Sequence, residues 1–106
     1  YASVQNKAGR FVKASIEGVT AAAAGVKMPK DFNVSITYAE GEAAYPISTF
    51  TWLLFYEKNG EGNSADLKDF LRWMLKDGQT MASDLGYAPL PDGVKAMVAK
   101  TIEGIQ

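Results

Sequence analysis

Residues 45–56 read Tyr45-Pro46-Ile47-Ser48-Thr49-Phe50-Thr51-Trp52-Leu53-Leu54-Phe55-Tyr56. This aromatic run decides the fold class, because aromatic and β-branched residues favour strands and its second half is apolar on both faces. Pro46 has no N–H to donate to a neighbouring strand, so the strand is expected to begin at or after Ile47. The sequence therefore predicts one long, buried strand over residues 47–56.

A second strand is predicted upstream of this run. Phe32, Val34 and Ile36 alternate with polar residues in period two, which is typical of a half-buried strand. Two strands do not make an independent sheet, and unpaired backbone groups in a buried strand are costly. We therefore predict an α/β class that is incomplete in this chain. Either a missing N-terminal part of the same protein or a second copy is expected to cover residues 47–56.

The N-terminal segment contains a turn, a short extended stretch and a helix. Gly9 favours a turn, and the residues after it within 8–14 favour an extended segment. The hydroxyl of Ser15 can accept from a free backbone N–H, so we expect a capped helix over residues 15–24 that ends at Gly25.

The C-terminal half is predicted to be mainly helical. Apolar residues follow the i, i+3, i+4 rule from Ser64 onward, at Leu67, Phe70, Leu71, Met74 and Leu75. Gly78 marks either a bend or a close backbone approach, and Gly86 is a plausible stop. Residues 87–91 should be extended because they contain two prolines, and Pro91 can begin a last helix.

The apolar stripe of the long helix is expected to face the core. Leu67, Phe70, Leu71 and Met74 should pack with Trp52 and Leu54 as one contiguous cluster. Replacing a fully buried Phe70 with Ala would then cost about 3 to 5 kcal/mol.

Composition excludes several functional classes. The 106 residues carry 11 basic and 12 acidic side chains, so a nucleic-acid partner is not expected. Neither His nor Cys occurs, which removes the Ser-His-Asp and Cys-His arrangements and zinc-thiolate sites. No apolar run approaches the roughly 20 residues that a membrane-spanning helix needs. An enzyme is therefore not expected.

The carboxylate pairs and ion pairs in the sequence fit exposed, structural roles better than functional ones. Glu40 and Glu42 fit a solvated turn better than acid/base or metal chemistry, and the spacing of Asp31 and Asn33 does not match a calcium loop. Asp69 and Arg72 fit an exposed ion pair on a helix. No catalytic residue, metal ligand or cofactor is assigned.

The turn over residues 60–64 is the nearest approach to a phosphate site. It reads Gly-Glu-Gly-Asn-Ser and leads into a helix, whose free N–H groups could meet an anion. Glu61 lies within the turn and Asp66 in the first helical turn, so both carboxylates would repel phosphate. We predict an exposed helix start without a phosphate-binding residue.

Three motifs carry a family resemblance: residues 44–54, the step Asp77-Gly78-Gln79, and residues 85–91, which read Leu-Gly-Tyr-Ala-Pro-Leu-Pro. In this order and spacing they resemble the C-terminal third of the bacterial phosphate ABC transporter substrate-binding protein, the periplasmic phosphate-binding protein. The resemblance covers essentially the whole chain.

This resemblance implies a type II periplasmic binding protein, with two lobes of helix-flanked sheets that enclose phosphate between them. Residues 1–44 would end the second lobe. Residues 45–106 would supply the hinge-crossing strand and complete the first lobe, with Tyr45-Pro46 near the hinge. The family grips phosphate through Gly-rich loops of its first two-thirds, and neither its Thr-Phe-Pro loop nor its Ser-Gly-Thr loop occurs here.

The implied role is therefore that of a structural part of a periplasmic receptor. The intact protein would bind inorganic phosphate and deliver it to the membrane permease of an ABC importer. The sequence begins at Tyr1 without a signal-like leader, which favours a fragment or processed product. Two alternatives remain: a secreted phosphatase-like relative on the same fold, and an inactive proteolytic fragment.

Overall fold

The computed structural model describes residues 1–58 and 63–106. Two short strands and four α-helices follow one another along this part of the chain: β1 (Val4–Gln5), β2 (Phe11–Val12), α1 (Ile16–Ala24), α2 (Ser64–Trp73), α3 (Gln79–Ala82) and α4 (Asp92–Glu103). This small mixed architecture of helices and strands is compatible with the α/β class.

The two strands form an antiparallel hairpin at the N-terminus. Val4 pairs with Val12 and Gln5 with Phe11. Gly9 lies in the turn with a φ of 79°, a left-handed conformation that glycine adopts without steric cost. The predicted turn and the extended segment after it are both confirmed.

Helix α1 begins and ends where the sequence predicts. The Ser15 hydroxyl accepts a hydrogen bond from the Gly18 N–H at 3.0 Å, which satisfies one of the free donors of the first turn. The Gly25 N–H donates to the Ala21 carbonyl at 3.1 Å and closes the last turn.

A core of small side chains forms against α1. It comprises Ala22, Ala23, Ile36, Ala39 and Ala44, with Val26 and Phe50 packed on its edge. Ile36 is its only large, fully buried member among the described residues. Alanines permit close approach but bury little apolar area, so this core stabilises the chain modestly.

The predicted strand at Phe32–Ile36 does not form. Burial does alternate along it, with Phe32, Val34 and Ile36 turned inward relative to the polar residues between them. However, Phe32 has a φ of 57°, outside the range of strands, and no neighbouring strand pairs with this segment in the described part of the chain. The side-chain pattern is thus right, and the pairing that would make it a strand is absent.

The long strand predicted over residues 47–56 is also absent. This stretch has no regular secondary structure, and its larger side chains, apart from the half-buried Phe50, are exposed rather than buried. The physical reason is the lack of pairing partners: the described sheet contains only the hairpin strands β1 and β2. An apolar sequence alone does not satisfy backbone N–H and C=O groups.

The long helix runs from Ser64 to Leu85, but its geometry changes along the way. A π-helical turn, Met74–Gly78, separates α2 from α3, and a 3₁₀ turn, Ser83–Leu85, follows α3. The three atoms nearest to a Cβ built on Gly78 belong to Trp73 and Met74, the closest at 3.6 Å. The helix is therefore distorted at Gly78, and these nearest neighbours belong to the same helical run.

Gly86 ends this helical run as predicted. Its φ of 78° is left-handed, and its N–H donates to the Ser83 carbonyl at 3.0 Å. Residues 87–91 then continue without regular structure, and α4 begins directly after Pro91, whose carbonyl accepts from Val94 and Lys95.

The predicted contiguous core around α2 is wrong. Leu71 is buried against α4, where Ile102 is also buried. By contrast, Phe70 is 53% exposed and Leu54 is 92% exposed, and Trp52 is exposed as well. Within the predicted stripe Leu71 is buried and Leu67, Met74 and Leu75 are half-buried, whereas Phe70 faces solvent.

The molecule is elongated for its length. Its principal extents are 52 × 27 × 19 Å and its radius of gyration is 15.7 Å. A compact domain of this length would have a radius of gyration of about 13 Å. The shape agrees with two small packing centres, one beside α1 and one between α2 and α4.

Candidate functional site

The two carboxylates singled out in the sequence form surface ion pairs. Glu40 lies 2.6 Å from the Lys7 ammonium, and Glu42 lies 3.7 Å from Arg10. The hydrogen bond from Lys7 to Glu40, together with their Coulomb attraction, raises the pKa of Lys7. All four side chains are largely exposed, so this turn is solvated, and its carboxylates contact the hairpin through surface ion pairs.

The ion pair predicted on α2 is present, and a second carboxylate joins it. Arg72 contacts Asp69 at 2.8 Å and both carboxylate oxygens of Glu103 at 2.9 Å. These hydrogen bonds raise the pKa of Arg72, and the bond to Glu103 has the largest effect. Sequence spacing identifies Asp69 but not Glu103, which lies 31 residues away on α4.

The described residues at the start of α2 do not support the weak anion site considered in the sequence. Residues 59–62, with Glu61 among them, lie outside the described part of the chain. Asn63 makes no side-chain capping bond, while its carbonyl accepts from the Leu67 N–H at 3.1 Å. Asp66 lies in the first turn, where its carboxylate complements the helix dipole.

Asn6 is a structural residue that the sequence does not reveal. Its side chain is 2% exposed. The amide nitrogen lies within hydrogen-bonding distance of the carbonyls of Gly41, Glu42 and Ala44, at 3.2, 2.8 and 3.2 Å. The amide oxygen accepts from the Arg10 N–H at 3.0 Å. One side chain thus joins the hairpin to the turn before Tyr45.

Residues 45–48 are held against the first part of the chain by hydrogen bonds. The Tyr45 N–H donates to the Gly18 carbonyl at 3.0 Å, and the Pro46 carbonyl accepts from Tyr38 at 2.8 Å. The Ser48 hydroxyl donates to the Tyr45 carbonyl at 2.7 Å. A Cβ at Gly18 would lie 3.1 Å from the Cβ of Tyr45, so this close approach favours glycine. These contacts fix the start of the predicted hinge-crossing segment.

An exposed aromatic segment, residues 50–56, follows this anchored stretch. Phe50 packs on the small core and makes an edge contact with Trp52 at 6.1 Å. The Trp52 indole N–H donates to the Phe32 carbonyl at 3.0 Å. Beyond Trp52 the side chains are at least 45% exposed, and Leu54 reaches 92%. This concentration of exposed apolar area marks an interaction surface.

The backbone of the aromatic segment is unpaired over most of its length. Within the described ranges, no backbone N–H or C=O of residues 51–55 forms a backbone hydrogen bond. The sequence contains no charged residue between Glu42 and Glu57. Over the described ranges, the backbone of residues 51–55 and the exposed side chains of Leu53, Leu54 and Phe55 are therefore the parts of this segment that a partner could contact.

A second exposed apolar surface lies on the long helix. Phe70 and Trp73 stack at 6.0 Å, and Met81 and Leu85 extend the apolar surface toward Tyr87. All five side chains are exposed. We refer to them as the helical apolar face.

Two of the grooves on the described surface are open and mostly apolar. One, of about 260 Å³, lies between the start of α1 and Gly86 and Ala88; the other, of about 420 Å³, lies between the end of α1 and the start of α4. Lys27 is the only charged residue that lines either groove. Neither groove brings together a nucleophile, a base and an anion-stabilising group, as catalysis would require.

Over residues 1–58 and 63–106, no helix combines the length and apolarity required to cross a bilayer.

This geometry leaves several apolar side chains exposed, and the relatives described below are named binding proteins. No family model matches it. It is 41% identical over 95 residues to the phosphate-binding protein PstS of Xylella fastidiosa strain 9a5c, a match that covers 86% of this chain and 26% of that protein. It is 34% identical to the PstS of Pasteurella multocida strain Pm70, with 89% and 28% covered.

A relative from a third organism is similar to the same extent. The phosphate-binding protein PstS of Methanocaldococcus jannaschii is 38% identical over 107 residues, a match that covers 88% of this chain and 28% of that protein. The chain thus spans little more than a quarter of the length of these relatives. It is similar to one segment of each of these phosphate-binding proteins, which confirms the family resemblance predicted from the sequence.

Proposed function

We propose that this chain is a structural part of a periplasmic receptor for inorganic phosphate, one that serves an ABC importer, and that the phosphate pocket lies outside it. The exposed aromatic segment carries this proposal. An uncharged, apolar stretch with an unpaired backbone is stable only when further protein covers it. The relatives extend well beyond the matched segment, and we propose that the corresponding part of the receptor covers this stretch.

The polar groups of the chain agree with a pocket elsewhere. Tight phosphate binding needs several desolvated donors that converge on the anion. Asn6 and Ser48 are the buried polar side chains among the described residues, and both already form hydrogen bonds within the chain. Among the described residues, no buried polar side chain is therefore left to replace the hydration of phosphate.

The receptor that we propose has the two-lobed, type II arrangement implied by the resemblance. Residues 1–44 end one lobe, and residues 45–106 cross the hinge and complete the other. The bonds that anchor Tyr45 and Pro46 to Gly18 and Tyr38 support a fixed starting point for the crossing strand. In this arrangement the intact protein binds phosphate and passes it to the membrane permease.

Calorimetry with phosphate tests this proposal. A single exposed helix start can hardly exceed millimolar affinity, about −4 kcal/mol, whereas micromolar affinity corresponds to roughly −8 kcal/mol. The 106-residue chain should therefore show no saturable binding in the micromolar range, while a receptor that contains it should bind one phosphate tightly. One-to-one micromolar binding by the chain alone would place the pocket within these residues.

A phosphatase-like relative predicts a different result. It would release phosphate from a phosphomonoester, and this activity would persist in a receptor-length protein. We expect no such release, because the curated relatives are named binding proteins and no catalytic constellation occurs in the described residues.

A further inference from the structure

The two apolar grooves have the same kind of walls. In each groove one wall comes from residues at an end of α1, within 14–28, and the other from residues that follow the long helix, within 86–97. Under the proposed division of the chain at residue 45, the two walls belong to different lobes. We refer to the two grooves together as the interlobe gap.

The wall that follows the long helix is bonded to that helix. The Tyr87 N–H donates to the Ala82 carbonyl at 2.9 Å, and the Leu90 N–H donates to the side-chain oxygen of Gln79 at 2.7 Å. Gln79 and Leu90 belong to two of the motifs that carry the family resemblance, so this bond joins the two motifs. Ala88 lies between the bonded residues and therefore moves with the long helix.

The wall beside α1 is fixed to α1, and the proposed hinge lies next to it. The Ser15 hydroxyl accepts from the Gly18 N–H, the Gly18 carbonyl accepts from the Tyr45 N–H, and Tyr45 lines the first groove. Among the described residues, no hydrogen bond or ion pair joins residues 14–28 to residues 86–97. The two walls can therefore move relative to each other without breaking a polar contact.

The interlobe gap is an unfavourable environment for phosphate. Among the described residues, Lys27 is the only charged one that lines it, and Ile16, Val19 and Ala88 have no side-chain donor. A phosphate cleft needs several converging donors, so it belongs on the opposite side of the hinge. When two lobes rotate about a hinge, one side widens as the other narrows. Closure over phosphate would thus widen the interlobe gap.

We infer that the interlobe gap lies behind the hinge and sets phosphate affinity through the small residues on its two walls, Ala14 and Ala88. The inference rests on the proposed function and deepens it, because it gives this chain control over affinity without contact to phosphate. In the open receptor the walls approach each other, and only small side chains leave room for this approach. A larger side chain on either wall would hold the walls apart and favour the closed state that binds phosphate.

Calorimetry with phosphate on a receptor that contains the chain tests this inference. Ala88→Phe and Ala14→Phe each add a ring to the first groove, one from each wall. A closed state that holds at most about 10% of the unliganded receptor leaves room for tighter binding, so each variant should lower the Kd by about 3- to 10-fold. Ala96→Phe is the matched control: Ala96 is exposed on α4 and lines neither groove, and its replacement should leave the Kd unchanged.

Small-angle X-ray scattering distinguishes a shift toward closure from a general effect on packing. Without phosphate, the Ala88→Phe receptor should resemble the phosphate-bound form more than the unaltered receptor does. Because Ala14 is exposed, Ala14→Phe provides both measurements if Ala88→Phe does not fold. An unchanged Kd in the folded variants would overturn the inference. Weaker binding would also overturn it, and so would tighter binding with unchanged scattering of the unliganded receptor.

Failure of the proposed function gives a different result. If the unaltered receptor bound no phosphate, the proposed function would be wrong and the inference would fall with it. If the unaltered receptor bound phosphate tightly and neither Ala88→Phe nor Ala14→Phe changed the Kd, the function would stand and only the inference would be wrong.

Discussion

Replacing Asn6 should destabilise the chain more than any other single polar substitution near the hairpin. The Asn6 amide has two hydrogens for three nearby carbonyls, and its oxygen accepts from Arg10, so the side chain forms about three net hydrogen bonds. A buried hydrogen bond contributes about 1 kcal/mol, so Asn6→Ala should cost about 2 to 4 kcal/mol. Asn6→Asp should cost more, because it turns an acceptor oxygen toward backbone carbonyls.

Urea denaturation followed by circular dichroism measures this effect. With a slope of about 1 to 3 kcal/mol per molar urea, the expected loss lowers the midpoint by roughly 0.7 to 4 M. Asn33→Ala is the matched control, since Asn33 is exposed, and it should stay within about 0.5 kcal/mol of the original chain. If Asn6→Ala changed the midpoint no more than this control, the role assigned to the Asn6 network would be refuted.

Three further predictions concern packing and charge. Gly25→Ala should lower the free energy of unfolding by about 1 to 3 kcal/mol, because the new Cβ would lie 2.6 Å from the Glu40 carbonyl oxygen. Gly93→Ala places its Cβ in open space and should raise the free energy of unfolding by up to about 1 kcal/mol. Equal urea midpoints for the two variants would contradict this prediction. Phe70→Ala should lower the free energy of unfolding of this chain by less than about 1 kcal/mol, because Phe70 is exposed here. In a receptor that covers the helical apolar face, the same substitution should lower it by about 3 to 5 kcal/mol. Equal losses in the chain and the receptor would show that this face stays exposed. The hydrogen bond from Lys95 lowers the pKa of Asp92, so the pair stabilises the fold above the unfolded pKa of Asp92 and ceases to do so as pH falls through the lowered pKa. Lys95→Met should raise the pKa of Asp92 in an NMR titration. An unchanged pKa would exclude the contact.

Local features of this fold were predictable because they depend on nearby residues. The Ser15 cap, the left-handed Gly9 and Gly86, and the start of α4 after Pro91 all follow from rules that act within a few residues. The Gly78 distortion was also anticipated, although its π-helical form was not.

Long-range features were not predictable in the same way. No spacing rule connects Asn6 with the turn at 41–44, or Arg72 with Glu103, because these contacts depend on how distant elements meet. The apolar pattern at residues 47–56 predicts a buried strand, yet burial requires partner strands that the described part of the chain lacks. Phe70 is exposed for the same reason: an amphipathic helix shows which side would pack, but it does not supply the surface on which to pack.

The central claim is that this chain completes a phosphate receptor without holding its pocket, and fragment complementation tests it most directly. The chain would be mixed with the separately produced remainder of the same receptor, and phosphate binding would be measured by calorimetry. We predict no micromolar binding by either part alone and one-to-one micromolar binding by the mixture. Full-affinity binding by the remainder alone would show that the chain is dispensable, and binding by the chain alone would show that it holds the pocket; either result would contradict the account.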